Sequence, residues 1–124
     1  MECIVIEPPL SEGETIEVIN INFDIDTLIV TVRIDADKYD IVFDAPCGYR
    51  VLDEGDLHEF WPSCSSFNGW LYEIESGGWL EQEKRRSGFL SSGNTQLKEY
   101  FVIGCNYCVS VLAWEQPDVS ESIR

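Results

Sequence analysis

Two short stretches carry residues whose types and spacing suit chemistry. In VLDEGDLHEF, Asp53, Glu54 and Asp56 crowd three carboxylates against His58, the single histidine of the chain. Carboxylate oxygens hold divalent cations, and a carboxylate beside an imidazole can move a proton. The spacing departs from a calcium loop, which needs ligands at alternating positions, a glycine at the sixth and a glutamate at the twelfth. A nucleophilic triad would have to use His58, and no G-x-S-x-G elbow accompanies it. Helix capping explains the same residues: Asp53 as N-cap, with Glu54 and Asp56 in the first turn where the helix dipole favours negative charge. The expected role is architectural. A small metal-binding protein or enzyme built on Asp53, Glu54, Asp56 and His58 is the alternative.

The second stretch is Cys105-Asn106-Tyr107-Cys108, with the spacing of a redox or zinc pair. That chemistry needs a helix N-terminus or a matching second pair. The residues that follow, Val109 to Leu112, are strand-like, and no other C-x-x-C exists, so a hairpin turn is the expectation. A zinc site drawing on Cys47, His58 or Cys64 matches no familiar ligand spacing. Five cysteines form an odd set, and with no export signal in view they read as reduced, mostly buried thiols. Gly77-Gly78 lacks the context of a phosphate loop. No catalytic, cofactor or metal residue is assigned, and no cofactor is expected.

The elements that must position these residues are mainly strands. Residues 1–7 read as an edge strand stopped by Pro8-Pro9, which lack ladder donors. In 15–23, Ile16 and Val18 lie in one phase and Ile19, Ile21 and Phe23 in the other, which predicts a bulge between Val18 and Ile19. Residues 27–35 alternate cleanly, and Tyr39, Ile41 and Phe43 mark a third strand of a meander. Tyr49 to Leu52 forms a fourth. Asp53 then opens a helix of about two turns, with Leu57, Phe60 and Trp61 on its apolar face, Asp56, His58 and Glu59 outward, and Pro62 closing it. Residues 63–69 form a polar loop, 70–74 a strand, Ser76-Gly77-Gly78 a hinge, and 79–86 either a short helix, to which propensity leans, or an extended excursion. Ser91-Ser92-Gly93-Asn94 reads as a mobile loop. Residues 97–105 and 107–114 make a last hairpin, apolar enough to be central. The fold expected is α+β, mainly antiparallel sheet or half-open barrel with one or two short helices, as a single domain over 1–115. A polar tail, 116–124, is expected to fray.

Charge bounds the partners. Asp and Glu number 23 against 8 Lys and Arg, a formal charge of −15. Such a surface repels phosphate backbones and attracts basic proteins, so nucleic acid is excluded and a basic protein partner favoured. Acidity for solubility alone is the plain alternative. No apolar run approaches the roughly 18–20 residues of a membrane span, and the start carries no basic n-region, which places the chain in the cytoplasm. Of the tryptophans, Trp70 and Trp79 adjoin glycines and polar loops and are candidates for a protein interface together with the outward carboxylates Glu54, Asp56 and Glu59. Core packing is the favoured role for both rings, about two to one over the interface. Glutamates and prolines on the 1–7 edge oppose self-pairing, so a monomer is expected rather than a homodimer, a non-catalytic assembly subunit being a further alternative.

The runs GYRVLDEGDLHEFW (Gly48 to Trp61), SGGWLEQEKRRSGF (Ser76 to Phe89) and YFVIGCNYCVSVLA (Tyr100 to Ala113) resemble small bacterial proteins, many of which look like immunity proteins of polymorphic or contact-dependent toxin systems. The resemblance carries structural motifs and no catalytic residues. It implies a protein that binds one cognate toxin and blocks it, often by covering the toxin's active site with acidic residues.

Overall fold

The computed structural model describes residues 1–89 and 96–122. The Ser91 to Asn94 loop lies outside the described residues. Nine strands and one α-helix appear among them: β1 (Glu2–Glu7), β2 (Ile16–Phe23), β3 (Thr27–Ile34), β4 (Asp37–Asp44), β5 (Gly48–Asp53), β6 (Leu71–Ser76), α1 (Trp79–Lys84), β7 (Lys98–Val102), β8 (Tyr107–Ala113) and β9 (Asp118–Glu121). All pairing is antiparallel, in two sheets ordered β1-β6-β7-β8-β5 and β2-β3-β4-β9. No closed barrel forms among the described residues. The architecture is β-rich, with β1, β5, β2 and β9 left as sheet edges.

The four-stranded sheet follows from local pattern. Leu28, Val30 and Val32 of β3 and Ile41 and Phe43 of β4 alternate with the less buried Ile29, Thr31 and Val42, and all five are fully buried. In β2 the phase switch at Val18 is a true bulge: Val18 pairs with Val32 and Asn20 with Thr31, leaving Ile19 as the extra, exposed residue. Ile21 thereby returns to the core side.

The five-stranded sheet is covered on both faces, which is why β7 and β8 read as nearly continuous apolar runs. One face sends Leu71, Tyr100, Val102, Val109, Val111 and Ala113 against the inner residues of the four-stranded sheet. The other face, carrying Tyr72, Ile74, Phe101 and Cys108, is covered by Leu57, Phe60 and Cys64 from the segment between β5 and β6. Tyr72 and Tyr100 lose water on these two faces, and burial pushes both phenols up to about 12.

Two expectations are corrected. Asp53 does cap a helical turn, but that turn is a single 3₁₀ turn, Glu54–Asp56, and ends at Leu57 with φ −126 and ψ 36. Gly55 within it weakens helix, and the apolar 3.6-residue spacing is used by successive tight turns, with Phe60 N–H donating to Leu57 O and Cys64 N–H to Phe60 O. The tail also departs from its expected fraying. Asp118–Glu121 pairs with β4, Ile41 opposite Val119, and Ser122 N–H donates to Lys38 O at 2.8 Å.

Candidate functional site: an acidic turn beside an apolar groove

The acidic turn is built from the sheet outward. Leu57, Phe60 and Cys64 are at most 1% exposed, and the Phe60 ring stacks on Phe101 of β7 at 4.5 Å between centroids. Tyr72 OH donates to Ser65 O at 2.6 Å, Ser63 Oγ to Met1 O at 3.2 Å, and Cys3 Sγ to Ser63 O at 2.9 Å, fixing the segment at its far end. With these side chains inward, Asp53, Glu54, Asp56, His58 and Glu59 all face solvent. Asp53 Oδ1 accepts from Gly55 N–H at 2.8 Å, and Trp61 Nε1–H donates to Glu54 O at 3.2 Å. Glu54, Asp56 and Glu59 thus stand on the surface, as the sequence predicts.

Beneath this turn sits a pair that the charge-cluster reading missed. Arg50 of β5 lies on the covered face of the five-stranded sheet, its guanidinium carbon 6.0 Å from the Phe60 ring centroid and 5.1 Å from that of Trp79. Glu99 of β7 is 1% exposed. Its Oε1 accepts from Leu80 N–H at 2.8 Å, and the Trp79 N–H also bonds this carboxylate, so a strand residue caps the start of α1. Burial raises the Glu99 carboxyl above its ordinary value, opposed by those two N–H donors and by Arg50. Burial likewise lowers Arg50, opposed by Glu99, Glu59 and Glu83. Glu99 Oε2 and Arg50 Nε have no protein hydrogen-bond partner. A signal for Glu99 existed in the sequence: one carboxylate inside the apolar run LKEYFVI must be paired or protonated.

The two tryptophans separate. Trp79 is half-buried, against Arg50, with Nε1–H donating to Glu83 Oε1 at 3.2 Å. Trp70 is only 6% exposed, within the core between the sheets, its N–H donating to Glu7 O and its carbonyl accepting from Ile103. Trp70 therefore takes the core role and is corrected as an interface candidate: it is buried in the cluster formed between the two sheets.

The thiols are also redistributed. All five cysteines are free; Cys64 and Cys108 are buried, Cys3 is half-buried, and Cys47 and Cys105 are exposed, fewer buried than expected. Burial pushes Cys64 well up, and Cys108 up to about 11, which keeps both as unreactive thiols. Cys105 sits in the β7–β8 turn as predicted, its N–H donating to Ile16 O at 2.8 Å. Among the described residues no group of three or more His, Cys, Asp or Glu side chains is placed to hold a metal ion.

Next to the acidic turn lies an open groove of about 560 Å³, lined by Leu10, Ile16, Trp61, Phe67 and Ile103, with Glu14 and Glu54 among its polar residues. Phe67 is 89% exposed. Sequence reading passed over it because residues 63–69 look uniformly like a polar loop.

No family model, no curated protein and no solved structure matches this chain. Among the described residues no helix is long and apolar enough to cross a membrane.

Proposed function

We propose that this chain is a non-catalytic binding protein that neutralises a basic toxin domain in the cytoplasm, in the manner of an immunity protein. One observation carries the reading: Glu54, Asp56 and Glu59 are exposed on a turn whose apolar residues Leu57 and Phe60 are buried against the sheet, in a chain of net charge −15. Carboxylates clustered in this way steer a cationic partner toward the turn. The resemblance of Gly48 to Trp61, Ser76 to Phe89 and Tyr100 to Ala113 to immunity-type proteins supports the same partner class.

Co-expression tests it. A toxin gene neighbouring the gene for this chain, induced with and without this chain, is expected to kill only in its absence. Equal killing in both cases ends the proposal.

A further inference from the structure

We infer that the groove beside the acidic turn seats an apolar side chain from a lysine- or arginine-rich segment of the protein partner. This rests on the proposed binding of a basic protein and names where, and by what chemistry, that protein is held.

The groove has the makings of a docking site on four counts. Its volume, about 560 Å³, falls within the roughly 300–1,000 Å³ of ligand-binding clefts. Its walls come from three separate parts of the chain: Leu10 to Ile16 leading into β2, Trp61 to Phe67, and the Ile103 to Cys105 turn. Those walls are fixed, since Cys105 N–H donates to Ile16 O and Trp61 Nε1–H to Glu54 O at 3.2 Å. At the same time Phe67, 89% exposed, buries little of its ring in the fold. A large aromatic left in water beside a preformed groove fits a contact completed by another molecule.

Charge selects the occupant. Among the described residues the groove's carboxylates are Glu14 and Glu54, and none of the seven described lysines and arginines lines it. Glu14 is held in place by Ser11 N–H, which donates to its Oε1 at 2.7 Å. A cationic segment satisfies both carboxylates and gains cation–π attraction from the rings of Trp61 and Phe67, while one apolar side chain between its cations fills the space against Leu10 and Ile103. An acidic segment would meet like charge at both positions, and an uncharged one would leave them uncompensated.

The test uses the full chain, labelled with ¹⁵N, and three capped pentapeptides at low salt: Lys-Lys-Phe-Lys-Lys, Lys-Lys-Ala-Lys-Lys and Glu-Glu-Phe-Glu-Glu. The first is expected to shift the Trp61 indole N–H and the amides around Phe67 and Cys105, and to bind at least about fivefold more tightly than the other two. Phe67→Ala, a change at an exposed position, is expected to erase that advantage while leaving the rest of the spectrum in place. Equal binding of the phenylalanine and alanine peptides, shifts confined to other surfaces, or no shift up to about 2 mM peptide overturns the inference. The outcomes separate from those of the functional proposal. Protection against the toxin with no groove residue affected at the interface removes the groove alone, and groove binding without protection removes the immunity reading alone.

Discussion

The side-chain amide of Asn106 stands in for a neighbouring strand at Val18: its Oδ1 accepts from Val18 N–H at 3.1 Å and its Nδ2 donates to Val18 O at 3.0 Å. Val18 begins the bulge of β2, an edge strand of one sheet, while Asn106 sits in the β7–β8 turn of the other. Tyr107 N–H donates to the same Oδ1 at 2.7 Å. One side chain therefore ties the two sheets together where the ladder is interrupted, next to the Cys105 wall of the groove.

Asn106→Ala is expected to cost about 1–3 kcal/mol, the usual loss when backbone groups shielded from water are left unpaired. Asn106→Asp keeps the acceptor and sets a carboxylate oxygen against Val18 O, so it is expected to cost at least as much near neutral pH. Urea unfolding reads both as a lower midpoint at unchanged m-value. A midpoint within error of the parent chain for both variants would show the link to be dispensable.

The Glu99 carboxyl gives a pH signature. Because burial raises it in the fold, the folded state binds this proton more tightly than the unfolded chain, whose glutamate titrates near about 4.3. Its contribution is then fully present below the unfolded value and is lost as pH rises through the folded one. Glu99→Gln keeps an acceptor for Leu80 N–H and removes the titration. Stability measured from pH 4 to 8 is expected to fall with pH in the parent relative to the variant, the difference closing at the acidic end. A pH-independent difference would contradict it.

Gly78 is required by the same carboxylate. A Cβ there would lie 2.6 Å from Glu99 Oε1 and 2.8 Å from Ile74 Cγ2, so Gly78→Ala forces the cap of α1 apart from its strand. The expected cost is about 1–3 kcal/mol, as for overpacking a tight interior, with hydrogen exchange of the Trp79 and Leu80 amides accelerated beyond the global change. Uniform acceleration across the chain would instead place the damage outside the cap.

The β2–β3 turn stores strain in the open. Ile25 holds φ at 83 and is 77% exposed, flanked by Asp24, whose Oδ1 accepts from Thr27 N–H at 2.8 Å. A left-handed conformation costs an ordinary residue about 1–2 kcal/mol, of which glycine's extra unfolded-state freedom takes back about 0.5–1. Ile25→Gly is expected to stabilise the fold by about 0.5–1 kcal/mol, read as a rise of a few degrees in Tm. A lower Tm would mean that the isoleucine side chain makes a contribution that its exposure conceals.

What could be read in the sequence was what each strand states about itself. Alternation in 27–35 and the phase switch around Val18 are local signals, and both strands and bulge are where those signals put them. Pairings such as Cys3 with Ile74 and Gly48 with Leu112 join distant residues, and nothing local encodes them; nor does anything local decide between core and interface for Trp70, which the packing of the two sheets buries. Leu57, Phe60 and Trp61 kept a helical period while forming consecutive turns, since a side chain needs only to reach the sheet and the spacing does not say by which backbone path. The outward carboxylates were legible because charge at the surface follows from type alone. Glu99 was not found, because its meaning depends on Arg50 and α1, which only the sheet brings to it.

Charge reversal at the acidic turn separates steering from contact. Glu54, Asp56 and Glu59 are exposed and form no ion pair among the described residues, but the Glu59 carboxylate favours the charged form of Arg50, so Glu54→Lys, Asp56→Lys and Glu59→Lys together should lower the unfolding midpoint only through the change at Glu59, which Glu59→Lys alone measures. Against the toxin partner, the triple variant is expected to lower the association rate by about tenfold or more at low ionic strength, with a much smaller change in dissociation, because rim charges act on encounter. Screening should narrow the gap: as the Debye length falls from about 10 Å at 0.1 M salt to about 3 Å at 1 M, parent and variant rates should converge. A variant that dissociates faster while associating normally would move these carboxylates from the rim to the centre of the interface, and one that binds as the parent does at every salt concentration would place the interface elsewhere on the chain.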